Sequence, residues 1–226
     1  MDANELYDPE FRDLVKSKKP TVIIPVGSLE QHGAHLPITT DSDIVTEIAS
    51  RLAKKCDFIV FPTVSYGVSD EHYPLFNTTT HLSRWLDSIL NSLRENRIES
   101  VVILNGHHGN ERSIPHNHFG FTGGKLRVYS YWHFMEHEFD HAGFVETSLM
   151  LAISDKVKMK NAKKGFTTKG LSEEEIQRIK ELSTKRGGFP QVAKNGVWGD
   201  PTGATKKDGE KFLAEIVRNL AKECQT

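Results

Sequence analysis

The sequence predicts an α/β protein: a three-layer α/β/α sandwich with a mainly parallel central sheet. Two observations carry that expectation, short apolar runs rich in β-branched or aromatic residues and helical patterns that fall between them. The runs are TVIIPV (21–26), DFIVFP (57–62), SVVILN (100–105) and KLRVYSYW (125–132). Their near-continuous apolar character suits strands buried on both faces. SDIVTEIASRLAKK (42–55) and HLSRWLDSILNSLRENR (81–97) show the i, i+3, i+4 apolar spacing of helices packed on one side. Further helices are expected at 6–17, about 144–153, 172–184 and 206–223. RGGFPQVAKNGVWGDPTGAT (186–205) is rich in Gly and Pro and reads as a long irregular loop, the kind that often serves as a lid or interface element. No repeat or low-complexity segment appears, and residues 1–226 read as a single domain.

Composition narrows the function. With 29 basic and 30 acidic residues the formal net charge is −1, which gives no general pull toward nucleic acid or anionic membrane. No apolar run approaches the ~18 residues of a spanning helix, and the first twenty residues hold no apolar signal core. A soluble, cytoplasmic chain with no nucleic-acid or membrane partner is expected. Cys56 and Cys224 form neither a disulfide framework nor a CxxC knuckle. Eleven histidines stand out, and ten fall from His32 to His137.

Open parallel sheets bind ligands beyond the carboxyl ends of their strands. GSLEQHGAH follows the first run and GHHGNE the third, so both histidine-bearing stretches are expected at one edge of the sheet. Glu30 and His32, two apart, leave the same face of an extended chain. Asp41 follows at the start of a helix, and His107 and His108 sit between Gly106 and Gly109. Mixed carboxylates and imidazoles suit zinc, manganese or iron(II), and a carboxylate can bridge two ions. The expected ligands are Glu30, His32, Asp41 as the bridge, and His107; His35 stands outside the set. Such ions lower the pKa of bound water and polarise a carbonyl, as amide hydrolysis requires. In DHAGFVETSLMLAI (140–153), His141 and Glu146 can lie near each other if the chain bends at Ala142-Gly143. His141 then suits a proton shuttle to a leaving nitrogen and Glu146 the acid that orients it.

Each residue also has an ordinary reading. Asp41 could cap its helix, Glu146 could be a first-turn glutamate favoured by the helix dipole, and a lone loop histidine is commonly solvent-facing. His108 could stack or hydrogen-bond without ligating. The joint pattern favours the metal site. No GxSxG elbow appears, so a covalent nucleophile is not expected.

GSLEQHGAHLPITTD (27–41), NGHHGNE (105–111), HAGFVETSLML (141–151) and GVWGDPTGATKKDG (196–209) together resemble the creatininase (creatinine amidohydrolase) family, from about Thr21 to the last helix. The resemblance implies an α/β/α sandwich and two divalent ions per subunit. It also implies hydrolysis of a cyclic or linear amide and a homo-oligomer, commonly a hexamer. By position it implies Glu30, His32, Asp41 and His107 as ligands, with His141 and Glu146 as the catalytic pair. Creatininases proper carry a metal-binding glutamate two residues after the ligand histidine, where this chain has Gly109; Glu111 and His108 are the further candidates there. Creatininases proper also shape the pocket with tryptophans ahead of the catalytic histidine; here Trp132 and His137 occupy that stretch. VSDEHYPLFNTTTH (68–81) is expected to supply substrate wall through His72, Tyr73, Phe76 and His81. The family includes an archaeal formamidopyrimidine-nucleotide deformylase and a peptidase that trims a redox-cofactor precursor. A nucleotide would want cations near the site, for which Arg84, Arg112 and Lys125 are candidates. A metal-stabilised scaffold without activity is the contrasting reading, and the pair His141 and Glu146 speaks against it.

Overall fold

Among the described residues four strands, β1 (Thr21–Val26), β2 (Ile59–Val60), β3 (Ser100–Asn105) and β4 (Lys125–Ser130), pair in parallel in the order β2-β1-β3-β4. This computed structural model describes residues 1–114, 121, 123–138 and 140–225. Side chains alternate across the sheet as the two-residue strand period requires. Val22, Ile24 and Val26 of β1 join Val101 and Ile103 of β3 on one face, while Ile23, Val102 and Leu104 join the core on the other.

Helices cover both faces. On the Ile23 face lie α2 (Thr40–Cys56), α4 (Phe144–Ile153) and α7 (Lys206–Gln225). α7 presents Leu213, Ile216, Val217, Leu220 and Cys224, an i, i+3, i+4 stripe that fills the gap between α2 and α4. On the opposite face α1 (Asp8–Lys18) contributes Val15, and α3 (Leu82–Glu95) contributes Leu86, Leu90 and Leu93. Each fully buried aliphatic side chain stabilises the sandwich by roughly 1.5–3 kcal/mol. α5 (Glu173–Ser183) and the one-turn α6 (Phe189–Val192) lie toward the carboxyl ends of the strands.

The three layers match the expectation, with local differences. β2 is two residues long rather than 57–62, because Asp57 caps α2 in the left-handed region and Pro62 has no N–H for the ladder; beyond it the pairing resumes as an isolated bridge, Val64 donating to the Pro25 carbonyl and accepting from Gly27 N–H. β4 stops at Ser130, and Tyr131–Phe134 turn into a 3-10 helix instead of extending the strand. The segment 186–205 is not wholly irregular, since it contains α6 and a 3-10 turn at Pro201–Gly203. No helix among the described residues is long and apolar enough to cross a membrane.

β1 and β3 are neighbours, and the chain leaves β1 toward β2 on one side while β3 continues to β4 on the other. The crevice between their carboxyl ends is therefore the topological switch point of the sheet.

Candidate metal centre

Two glycines let the N-terminus of α2 settle into that crevice. A Cβ on Gly27 would lie 2.4 Å from Ser42 Oγ, and one on Gly106 would lie 2.7 Å from Val45 Cβ. With both absent, Asp41 in the first turn of α2 reaches the strand ends. Its side chain makes no cap; it faces His32 Nε2 at 3.1 Å and His107 Nδ1 at 3.3 Å. Asn110 stitches the surrounding loops, accepting from Val68 N–H at 2.9 Å and donating to the carbonyl of Gly27 at 3.0 Å.

The predicted ligands converge. Glu30 lies 3.1 Å from His107 Nε2 through Oε2 and 3.7 Å from His141 Nδ1 through Oε1. Its Oε1 is also 3.0 Å from Nε2 of His72. Three overlapping sets form among the described residues: Glu30, His32 and His141; Glu30, Asp41 and His107; His32, Asp41 and Glu146. Glu30, His32 and Asp41 each belong to two sets, and shared carboxylates are what a pair of cations needs. Glu30, His32, Asp41, His107 and Glu146 are all buried. Glu30 Oε1 and Oε2 and Asp41 Oδ2 accept no hydrogen bond. Buried carboxylate oxygens left without donors are costly unless a cation faces them, so this donor set fits divalent metal.

The fields inside the cluster are strong. Burial pulls His32 down, but the charge and hydrogen bond of Asp41, then Glu146 and Glu30, prevail and raise it to about 10. Burial would lift Asp41, yet His32 and His107 hold its carboxyl below the usual range. Burial raises Glu146 to about 8, with Asp41 and Asp140 adding to it against His32. His141 is driven well below its ordinary value by burial and then by the neighbouring His32, His72 and His107, so it is neutral at pH 7. His35 is lowered to about 4 by burial and His32; its Nε2 pairs with Thr147 Oγ1 at 2.9 Å, away from the ligand sets.

Glu146 stands differently from the sequence expectation. Rather than touching His141, its Oε2 accepts the Ala142 N–H at 2.6 Å and lies 3.6 Å from His32 Nε2. The expected bend is present: Ala142 adopts φ 52° and is fully buried. His141 is pinned by its own backbone, which exchanges hydrogen bonds with Trp198 in both directions at 3.1 and 2.8 Å. Its Nε2 meets the Gln31 side-chain amide at 3.0 Å, and the same amide nitrogen lies 2.9 Å from His72 Nδ1.

A cavity of about 540 Å³ opens on this floor. Trp132, Phe189 and Trp198 give it apolar wall, and Gln177, Lys180 and Glu181 of α5 line it as well. His72, Trp132 and His108 belong to the lining, but Tyr73, His81 and His137 do not. Tyr73 is 55% exposed beneath the Arg186 guanidinium, His81 is the exposed residue before α3, and His137 stacks on Phe144 and meets Phe212 edge-on. Glu111 turns aside to accept from Ser130 Oγ at 2.9 Å and joins none of the ligand sets. Among the described residues six acidic side chains line the cavity, Asp41, Glu71, Glu138, Asp140, Glu146 and Glu181, against a single Lys or Arg, Lys180. Gln31, Glu71, Asp140 and Phe189 were not singled out in the sequence, and α5 was expected as a helix but not as cavity wall; the family-like GVWGDP and the DEH of the predicted wall were the nearest signals.

A parallel sheet with buried His/carboxylate sets at its switch point defines an α/β protein with a candidate metal centre. Residues 4–224 match the creatininase family, described as creatinine amidohydrolase, and the chain belongs to that family. It is 31% identical over 219 residues to the mycofactocin precursor peptide peptidase of Mycolicibacterium smegmatis, covering 91% of this chain and 84% of that protein. It is 27% identical over 186 residues to the creatinine amidohydrolase of Pseudomonas putida, covering 67% and 71%. The crystal structure of creatinine amidohydrolase (creatininase) superposes with TM-score 0.80 at 23% identity, over 98% of this chain and 95% of that one, which establishes the shared fold.

Proposed function

We propose that this protein is a metal-dependent amidohydrolase acting on an amide without phosphate, with short peptides the first class to assay. The carrying observation is the three interlocked His/carboxylate sets on the floor of an open, acidic cavity. Glu30, His32, Asp41, His107 and Glu146 would hold two divalent ions, Asp41 belonging to the set with Glu30 and His107 and to the set with His32 and Glu146. Solved creatininases include a manganese form and a Zn-Zn form, which supports the same metals here. Bound in such a site, the ions supply a water acidified toward neutrality and a Lewis acid for the carbonyl.

The chain's own groups do the rest. His141, neutral and held at the cavity floor, takes the proton of the attacking water on one ring nitrogen and delivers it to the departing amide nitrogen. Gln31 keeps that ring in place. Glu146 acts through Ala142, whose N–H it holds, and as a ligand rather than by orienting His141 directly. Trp132, Phe189 and Trp198 shed water from the substrate.

The acidic lining disfavours a phosphorylated nucleotide. Arg84 and Lys125 are exposed and outside the cavity wall, and Arg112 is engaged with Asp70 and Glu71. The relatives that match over about nine-tenths of this chain are peptidases, which favours peptide amides. The test is a hydrolysis screen of the metal-loaded protein against creatinine, the formamidopyrimidine nucleotide and short peptides. Chelator-sensitive turnover of a phosphate-free amide is expected; preference for the nucleotide overturns the substrate reading, and no turnover of any amide favours the scaffold.

A further inference from the structure

Glu71 is a buried carboxylate that belongs to none of the three ligand sets, yet it lies against one of their members. Its Oε1 is 3.5 Å from His107 Nε2. Its Oε2 accepts from Arg112 Nη2 at 2.9 Å; that nitrogen also reaches Asp70 Oδ1 at 2.9 Å, and Nη1 donates to the Thr184 carbonyl at 3.0 Å. Arg112 thus fastens Glu71 from behind and ties it to the C-terminal end of α5, part of the cavity wall.

The two edges of the His107 ring differ. Around Nε2 stand the Val68 carbonyl at 3.0 Å, Glu30 Oε2 at 3.1 Å and Glu71 Oε1 at 3.5 Å. Nδ1 faces a single oxygen, Asp41 Oδ2, at 3.3 Å. The Val68 carbonyl can only accept, so Nε2 carries a proton, and Nδ1, which faces Asp41, is the nitrogen left to take a metal once its own proton is displaced. Metal-ligating histidines commonly donate their second N–H to a carboxylate or backbone carbonyl, which fixes tautomer and ring orientation.

Gly109 completes the arrangement. A Cβ there would lie 2.3 Å from Glu71 Oε1, 2.3 Å from the Val68 carbonyl oxygen and 2.5 Å from His107 Nε2. Any side chain at 109 therefore competes with Glu71 for one space.

We propose that Glu71, locked by Arg112, is the positioning residue that presents His107 to the metal through Nδ1, and that Gly109 is required to admit it. Glu71 takes the space a side chain at 109 would need, as a support for the ligand histidine rather than as a ligand. The inference rests on the metal-dependent reading, and the experiment separates the two.

Wild type, Glu71→Gln, Arg112→Gln and Gly109→Glu are loaded with Zn(II), and each equivalent's affinity is measured by competition with a chromophoric chelator. Thermal melts of the metal-free forms are recorded in parallel. Glu71→Gln weakens one of two equivalents by about 10–100-fold and leaves the other near wild type. Its metal-free melting temperature stays close to wild type, which a merely structural residue would not allow. Arg112→Gln weakens the same equivalent by about tenfold, the lower end of that range. Gly109→Glu loses that equivalent instead of gaining a ligand. Wild-type affinity at both sites in Glu71→Gln, or tighter binding in Gly109→Glu, overturns the inference while leaving the metal centre standing. Should Glu71→Gln fail to fold, Arg112→Gln at its 45% exposed position reads the same support, and unchanged affinity there overturns it. Failure of wild type to bind zinc overturns the metal-dependent reading itself, and the inference with it.

Discussion

Ala142 is the hinge on which the cavity-floor histidine turns, and its backbone offers a sharp test. It sits at φ 52°, is fully buried, and gives its N–H to Glu146 Oε2. An L-residue in this left-handed region bears roughly 1–2 kcal/mol of strain. Ala142→Gly removes that strain and adds about 0.5–1 kcal/mol of unfolded-chain entropy, so the net change is a gain of about 0–1.5 kcal/mol. Ala142→Val places a β-branched side chain where φ forbids it and where no room exists. Overpacking of about 1–3 kcal/mol adds to the worsened strain, for a loss of about 3 kcal/mol in all. For a chain of this size that is about 6–12 °C in Tm. Differential scanning calorimetry of the two variants beside wild type gives the comparison. A valine variant that melts with wild type would show that residue 142 is not left-handed, and the account of how His141 and Glu146 are brought together would fall.

Other outcomes follow from the same site. His141→Ala is expected to retain its metals and lose most of its turnover, by about 10²–10⁴-fold if proton transfer is its role; undiminished hydrolysis removes it from that role. Metal affinity is expected to rise with pH. Binding must displace the protons that metal-free His32, raised to about 10, and Glu146, raised to about 8, hold at neutrality. Chelator competition at about pH 6.5 and about pH 9 checks this, and flat affinity refutes it. The metal-free protein shows the opposite trend. Both folded-state pKa values lie above their unfolded ones, so the stabilisation from His32 is complete below about pH 6.5 and is lost as pH rises through about 10. The Glu146 contribution fades from its ordinary 4.5 up through about 8. Melting temperatures of chelator-treated protein therefore fall from neutral to alkaline pH; a rise contradicts the electrostatics of the cluster.

The fold was legible where chemistry is local. Apolar runs and helical spacing placed every strand and the helices that form the two outer layers, and the motif after β1 together with the motif after β3 located the centre. Legibility failed where a contact joins distant segments. Gln31 meets His72 and His141, which are 41 and 110 residues away, and nothing in EQH announces either partner. Glu71 reads as one more surface acid in SDEHYP, because its burial depends on Arg112 and on the absent side chain of Gly109. His137 shows the converse: its position ahead of His141 suggested a pocket residue, but Phe144 and Phe212 offered it a stacking site outside. Glu146 was placed with the right neighbours and a different contact, since the left-handed turn at Ala142 directs its carboxylate to a backbone N–H and His32.

The central claim is that Asp41 joins two metal sites that together activate the water. Metal content and turnover of Asp41→Ala, measured on the same reconstituted preparation as wild type, test it most directly. Two equivalents of divalent metal are expected in wild type, with metal and turnover lost together in the variant. A variant that keeps both metals and hydrolyses its amide normally contradicts the assignment.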